Sequence, residues 1–274
     1  METVVHDASP MVADPLGFLR RAAADLRRAP RIGWQLFRAE LRAGQQRSLF
    51  GYVWLLLPAA MITLTGVYLQ GQHVIAFGPT QLPYPVHVFA GMVLWQAFLD
   101  AFQHPLVHLR AARRRLTKTA LSHEAVLLAG LLSVALNNAV RLAALGVFLL
   151  ANGLPPSLDG VGVFASGMLG LTMLGTAAAL AIAPIALLYD DVNRSLGVVT
   201  SLWFLVTPVI YASPRMGLLR LNPVTPLLDT ARRAIVEPSV TASFAAVFAG
   251  SLLLMLIAWL GYRIASPHVF ERLR

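Results

Sequence analysis

The stretch between Arg47 and Asp100 decides the fold of this chain. Residues 48–99 read SLFGYVWLLLPAAMITLTGVYLQGQHVIAFGPTQLPYPVHVFAGMVLWQAFL and contain no Asp, Glu, Lys or Arg. Few soluble folds tolerate so long a segment without a charge, because charged side chains cover much of a soluble domain's surface. We therefore expect this segment to lie in a lipid bilayer.

The composition of the whole chain agrees with a membrane protein. Of 274 residues, 57% are hydrophobic and 13% are charged, whereas soluble domains carry roughly a quarter charged residues. The absence of Cys excludes disulfides, thiolate metal sites and a cysteine nucleophile. Eight arginines interrupt the first forty-nine residues, so a cleaved signal peptide is not expected.

A bilayer core needs roughly 20 apolar residues in a helix. Six segments of about this size are predicted, of which the fifth is short: Phe50 to Leu69, Val86 to Leu109, Ala125 to Leu150, Gly162 to Leu188, Leu196 to Tyr211 and Ala242 to Tyr262. The chain then divides into a cytoplasmic amphipathic segment (1–49), a six-helix membrane domain (50–262) and a cytoplasmic tail (263–274). The predicted fold class is all-α integral membrane.

The distribution of Lys and Arg sets the orientation. Eight lie before the first span, five between Arg110 and Glu124, one at Arg194 and three in the tail, against four in the loop after Tyr211. Both termini are therefore predicted to be cytoplasmic. The net charge of +9 is explained by the membrane surface, and no nucleic-acid partner is expected.

Three segments outside the spans have patterns of their own. Pro15 to Ala29 is predicted as a basic amphipathic helix that Pro30 stops, and Arg31 to Arg47 as a second one. We favour a position on the anionic inner leaflet over the alternative of a solvated basic tail. The Arg110 to Glu124 loop is either a short helix on which a soluble partner could push or a plain basic loop.

The third segment is the outer loop, Ala212 to Thr241. Thr225 is predicted to cap a helix that starts at Pro226, with Leu227, Leu228, Ala231 and Ile235 on the face opposite Arg232 and Arg233. This helix either dips into the membrane as a lid or floats on the outer surface.

The motifs of common enzymes are missing. The single lysine, Lys118, follows Thr117 rather than a glycine, which excludes a P-loop, and G-x-S-x-G and H-E-x-x-H are also lacking. The glycines at 160, 162, 167, 170 and 175 are interpreted as helix packing, in a dimer contact or inside the bundle. No catalytic residue is assigned.

Several polar residues lie inside the predicted spans. His104 and His108 stand four apart, and Asp100 precedes His104 by the same interval. These residues form a metal or proton site, line a polar cavity or pair internally, and no metal is assigned. Asn137, Asn138 and Arg141 should face the interior because exposure of the charge to lipid costs a few kcal/mol. We favour bonding between helices over contact with cargo.

Several stretches resemble one family, the permeases of type 2 ABC exporters for surface polysaccharides such as O-antigen, capsule and teichoic acid. They are R-S-L-F-G-Y-V-W-L-L-L-P (Arg47 to Pro58), Y-P-V-H-V-F-A-G-M-V-L-W-Q-A-F (Tyr84 to Phe98), Y-D-D-V-N-R (Tyr189 to Arg194), T-P-V-I-Y (Thr207 to Tyr211) and L-N-P-V-T-P-L-L-D-T-A-R (Leu221 to Arg232). The last is the most specific of them.

The resemblance implies a homodimer in the bacterial cytoplasmic (inner) membrane, with two ATP-binding cassette subunits that hold ATP and Mg, and no cofactor in this chain itself. It implies outer gate helices, for which the candidates are Asn222, Pro223, Thr225, Pro226, Asp229 and Arg232. Candidates for coupling to the ATPase are Arg113, Arg114, Arg115, Lys118, Asp190, Asp191 and Arg194. Candidates for aromatic residues that line the channel are Trp95, Phe98, Phe102, Trp203 and Phe204, and for any one of them the alternative is ordinary packing against lipid or in the core.

The resulting hypothesis is export of an undecaprenyl-linked polysaccharide. Arg38, Arg42 and Arg47 precede the first span and are the candidates for binding the lipid head group. Two alternatives stay open: a type 2 exporter of a small amphipathic drug or lipid, and an ATP-independent carrier or membrane enzyme.

Overall fold

A computed structural model describes residues 15–45, 50–72, 81–118, 122–211 and 221–272. In these ranges the chain is all-helical, with eight α-helices and no strand, which confirms the predicted all-α class. The helices are α1 (Pro15–Gln45), α2 (Val53–Gly71), α3 (Tyr84–Lys118), α4 (His123–Ala151), α5 (Leu158–Leu188), α6 (Asp190–Val206), α7 (Val224–Arg233) and α8 (Ala242–Glu271).

Five of these helices are long and apolar enough to cross a membrane: α2, α3 as far as Ala112, α4, α5 and α8 as far as Ser266. The chain is a multi-pass membrane protein by this measure. The predicted fifth span falls on α6, which has 17 residues and would reach only about 26 Å along its axis.

The long helices run alternately up and down. The beginnings of α3, α5 and α8 lie at one end of the bundle together with α7, which we name the α7 end: Gly91 of α3 approaches Val209, and Gly160 of α5 approaches Ala234. The opposite end, the α1 end, brings together α1, the beginning of α4 and the C-terminal part of α8. There the Arg263 side chain bonds Asp25 and Glu124.

Helix α3, the second of the five membrane-crossing helices, forms the centre of the bundle. In its most apolar window 78% of the residues are buried, against 17% in α2 and 11% in α8. It packs against α2, α4 and α5, so α2 and α8 present most of their apolar side chains outward. In a bilayer such faces meet lipid or another helix.

The glycines of α5 let neighbouring helices approach closely within one chain. A Cβ on Gly175 would lie 2.4 Å from the Phe98 carbonyl oxygen of α3, and one on Gly167 would lie 2.5 Å from the Ala231 Cβ of α7. The interpretation as helix packing is thus confirmed at both positions. Their contacts fall inside the bundle, which accounts for them without a dimer contact.

Pro30 does not end the first amphipathic helix, and that prediction was wrong. Helix α1 continues through it from Pro15 to Gln45. A proline removes one backbone hydrogen bond and bends a helix, but packing holds the chain helical on both sides. Ala29 and Phe37 are buried, and Gly33 lies against Ala125 and Leu128 of α4.

The structure of the segment after Arg110 also differs from both predictions for it. Residues 110–118 continue α3 instead of forming a separate helix or a plain loop. Helix α4 then starts after Ser122, whose hydroxyl accepts a hydrogen bond from the Ala125 amide. At the other end of the chain, α8 continues to Glu271 through most of the predicted tail.

The close contact at Gly175 gives a stability prediction. We expect Gly175→Ala to lower the free energy of unfolding by about 1–3 kcal/mol, since the added methyl group overpacks the α3–α5 contact. The matched control is Gly162→Ala on the same helix, where the added Cβ meets no atom within 4 Å and helix propensity favours alanine. Thermal unfolding of the purified protein in detergent measures both. Equal melting temperatures for the two variants would contradict the close contact.

Candidate functional site

A charged network lies between α3 and α4 at mid-helix. The Arg141 guanidinium donates from Nη1 to the Asp100 carboxylate at 2.9 Å and from Nη2 to the Gln96 carbonyl oxygen at 3.1 Å. The Asn137 amide donates to the same Asp100 oxygen at 3.0 Å. Only 1% of the Arg141 surface is exposed, so its charge is balanced inside the protein.

A second polar contact joins α4 to α5. The Asn138 amide nitrogen donates to the Thr172 hydroxyl at 3.1 Å. Asn137, Asn138 and Arg141, the polar residues of the predicted third span, therefore bond to neighbouring helices, which confirms the favoured prediction. Sequence reasoning missed Gln96 and Thr172, since neither carries a charge that would mark it inside an apolar helix.

A further polar cluster lies at the α7 end. The Asn222 amide donates to the Thr207 hydroxyl at 2.8 Å, while its carbonyl oxygen accepts from the Trp203 indole and from the Val224 amide at 3.1 Å each. Asn222 is buried and uses both ends of its amide. It therefore ties the start of α7 to the end of α6.

Arg232 ties the other end of α7 to the bundle. Its guanidinium donates to Asp229 at 2.7 Å, to the His87 ring at 2.8 Å and to the Val209 carbonyl oxygen at 3.1 Å. Because a guanidinium only donates, the His87 Nε2 atom accepts and is unprotonated. Burial lowers the pKa of Arg232, and the Asp229 carboxylate opposes that shift.

Two details of α7 differ from the prediction. The helix begins at Val224 rather than Pro226, and its first amide is bonded by Asn222, whereas Thr225 makes no cap. Arg232 is only 4% exposed and does not lie on a solvent face with Arg233. His87 of α3 and the Val209 carbonyl oxygen after α6 add to Asp229 as partners of the Arg232 guanidinium inside the protein, which an amphipathic pattern within α7 alone cannot reveal.

The aromatic residues proposed for a channel pack together inside one chain. Trp95, Phe98 and Phe102 of α3 are buried, and Trp203 and Phe204 of α6 lie against them, with ring centroids 5.0 Å apart for Phe98 and Trp203 and 5.6 Å for Trp95 and Phe204. Their place is thus the contact between α3 and α6. Their role in a channel stays a prediction.

The basic residues of α1 face outward. Arg38 and Arg42 are exposed, and Arg47 falls outside the described residues. The same helix is fixed to the bundle by two acidic side chains: Asp25 bonds Arg263 of α8, and Glu40 lies 3.2 Å from the His108 ring of α3. Helix α1 therefore combines a basic surface with specific contacts to the membrane helices.

The α1 end carries a buried ionic contact that the sequence did not reveal. Arg263 binds Glu124 at the start of α4 as well as Asp25, and the His123 ring contacts the Tyr262 hydroxyl at 3.1 Å. The three helices α1, α4 and α8 are thereby joined. Sequence patterns gave little sign of this contact, because the two acids lie 139 or more positions before Arg263 in the chain.

The coupling candidates divide between two places at the α1 end. Arg113, Arg114, Arg115 and Lys118 belong to the last turns of α3, and their side chains fall outside the described residues. Asp190, Asp191 and Arg194 lie in the first turns of α6, and all three are exposed. The structure thus leaves the second group open to the solution on that side.

Within the described ranges, no group of three or more His, Cys, Asp or Glu side chains is arranged to hold a metal ion. The His104 and His108 rings are stacked with centroids 6.0 Å apart. Both border a cleft, in agreement with the polar-cavity alternative.

Neither the known protein-family models nor the curated protein sequences contain a match to this chain.

The Asp100–Arg141 pair yields a second stability prediction. Asp100→Ala should destabilise the protein by about 3–5 kcal/mol, because it leaves the buried Arg141 charge without its carboxylate. The double variant Asp100→Ala with Arg141→Met should recover part of that loss. Asp191→Ala is the control, since its partner Arg194 is 83% exposed and exposed pairs contribute little. Thermal unfolding measures the loss of stability in each variant. A loss in the double variant equal to the sum of the two single losses would disprove the interaction between Asp100 and Arg141.

Proposed function

We propose that this chain is the membrane-spanning permease subunit of an ATP-driven ABC exporter that moves a lipid-linked polysaccharide across the bacterial cytoplasmic membrane. The observation that carries the proposal is the packing of the segment from Leu221 to Arg232. This segment has the most specific resemblance to the exporter permeases, and its polar residues Asn222, Asp229 and Arg232 hold a short helix in the α7 end of the bundle.

The position of α7 supports a role as an outer gate. Its Leu227, Leu228 and Ala231 side chains are fully buried, so it is packed between membrane helices rather than floating on a surface. A short helix at membrane depth is tolerated where protein satisfies its backbone. Because α7 contacts α3, α5 and α8, movement of those helices would move the gate.

The basic helix α1 supports contact with an anionic lipid. Exposed Arg38 and Arg42 give a positive surface at the end of the bundle opposite α7, and Arg47 continues the basic series in sequence. Arginine pairs bidentately with phosphate. A lipid pyrophosphate gathered there would lie at the entrance side of a path that leads outward to α7.

The direction of α6 supports six spans with both termini in the cytoplasm. Helix α6 follows α5 after Tyr189 alone, and its last residues reach the level of Phe98, where Trp203 packs. Val209 then lies against Gly91 at the α7 end. Residues 190–211 therefore run from one end of the bundle to the other, as a sixth crossing requires.

The polymer path in this proposal lies between two copies of the chain. The aromatic residues of α3 fill the interior of a single copy, whereas α2, α6 and α8 present apolar side chains outward, including Trp54, Leu202 and Leu254. Two such surfaces can pair and leave a passage between them. Energy for transport comes from a separate ATPase pressing on the α1 end.

The topology can be tested by single-cysteine labelling, because the chain has no cysteine. We expect cysteines at Gly153 and Ser239 to react with an impermeant maleimide added outside intact spheroplasts, and cysteines at Arg27 and Asp191 to react only after lysis. Both positions are exposed at the α7 end, Gly153 in the turn after α4 and Ser239 in the irregular segment before α8. Opposite labelling of Gly153 and Ser239 would disprove the six-span arrangement.

The head-group assignment predicts a transport defect. Replacing Arg38, Arg42 and Arg47 together by Gln should reduce polymer export at least about tenfold, since three charge-assisted contacts to phosphate are lost, while assembly of the dimer is unchanged. The control triple variant replaces Arg20, Arg27 and Arg28 by Gln, which removes the same charge from the far part of α1. Surface glycan measured with a lectin separates the two; unchanged export in the first variant would disprove the assignment.

Two further measurements test the function itself. The tagged chain should co-purify with a Walker-motif ATPase, and cells that lack it should accumulate undecaprenyl-linked glycan inside. Co-purification without such accumulation would favour an exporter of a small amphipathic molecule. Transport without any ATPase would overturn the ABC assignment.

A further inference from the structure

A cleft opens between α1, the start of α2, and the α1-end halves of α3 and α4. Its volume is 430 Å³, within the range of roughly 300–1,000 Å³ for small-molecule sites. Its apolar wall includes Phe37, Leu41 and Leu136. Its polar lining, which we call the polar cleft residues, consists of Glu40, Tyr52, His104, His108, Ser133 and Asn137.

These polar groups both donate and accept hydrogen bonds. The Glu40 carboxylate accepts only, and the Ser133 hydroxyl can accept because it gives its hydrogen to the Ala129 carbonyl oxygen. The Tyr52 hydroxyl and a neutral imidazole such as that of His104 both donate and accept. No hydrogen bond of the His104 ring to another described residue is observed, and its side chain borders the open space. The cleft therefore matches a ligand whose own groups both donate and accept.

The charge of the cleft argues against an anion inside it. The Glu40 side chain is 47% exposed and lies 3.2 Å from His108, so a phosphate placed there would meet a carboxylate. Arg141 is not available to balance that phosphate, because it is committed to Asp100 and Gln96. An ammonium group would suit Glu40 but would leave the hydroxyl and imidazole donors without an acceptor.

Hydroxyl-rich, uncharged groups both donate and accept hydrogen bonds and carry no charge that would meet the Glu40 carboxylate. A sugar ring can also place its apolar face on an aromatic side chain, and Tyr52 and Phe37 border the cleft. Arg38 and Arg42, one position along α1 from the cleft residues Phe37 and Leu41, are exposed. A phosphate bound on that flank would leave its attached sugar beside the cleft opening.

We infer that the polar cleft binds the lipid-proximal sugar of the glycan-linked lipid before transport. This inference rests on the proposed function and deepens it, because it assigns recognition of the sugar to residues other than those that hold the phosphate. The cleft then selects glycosylated carrier lipid over the bare carrier lipid.

The test uses the full chain in phosphatidylcholine nanodiscs and two probes, undecaprenyl pyrophosphate carrying one N-acetylglucosamine and undecaprenyl pyrophosphate without sugar. Ser133→Leu fills the cleft and should raise the dissociation constant for the glycosylated probe about tenfold, while that for the bare probe changes less than about twofold. Ser201→Leu is the matched control. Both serines bond the carbonyl oxygen four residues earlier in a helix, but Ser201 is exposed on α6.

A second variant, His104→Ala, removes hydrogen-bonding groups without filling the space and should weaken binding of the glycosylated probe in the same selective way. Elution profile and melting temperature show whether each variant is folded. Equal weakening of both probes, or no weakening of either, would overturn the sugar site while leaving the proposed function in place. Failure of the unaltered chain to bind either probe would overturn both.

Discussion

The Arg141 side chain is the strongest constraint on this structure. An arginine in the middle of an apolar helix has no water to hydrate it, so protein groups must supply its partners. Asp100 and Gln96 of α3 do so, and this pairing fixes how far α3 and α4 can slide along each other. The small residues of α5 then let that helix pack closely on α3 as well, since Gly175 leaves space for the Phe98 carbonyl oxygen. The central position of α3 follows from these two contacts.

The two ends of the bundle treat charge in opposite ways. At the α7 end, Arg232 is buried and bonded to Asp229 and His87, so its charge serves to hold a helix in place. At the α1 end, most arginines of α1 are exposed and can meet ligands or lipid, while Arg263 of α8 bonds acids of α1 and α4. In the proposed transport of an anionic cargo, the exposed charges would lie on the side that collects it.

Sequence reasoning predicted the helical membrane class and the interhelical role of Arg141 because both follow from the cost of polar groups in lipid, which depends on local composition. It failed where the local structure depends on contacts with residues of other helices or segments. Pro30 lies inside a continuous helix because Gly33 packs on α4, and Thr225 is no cap because Asn222 reaches the first amide of α7. The partners of Glu124, Asp25 and His87 are more than a hundred positions away in sequence, and no helical or motif spacing links such residues.

The arrangement of α1 suggests how force on one end can reach the other. Helix α1 is joined to α8 through Asp25 and to α3 through Glu40, and both α3 and α8 extend to the α7 end, where they contact α7. A displacement of α1 would therefore act on two rigid helices that also hold the outer helix. The Arg232 bonds to His87 and to the Val209 carbonyl oxygen tie α7 to α3 and to the chain that follows α6. In the proposed export cycle, movement of α7 as a gate would have to break or exchange these bonds.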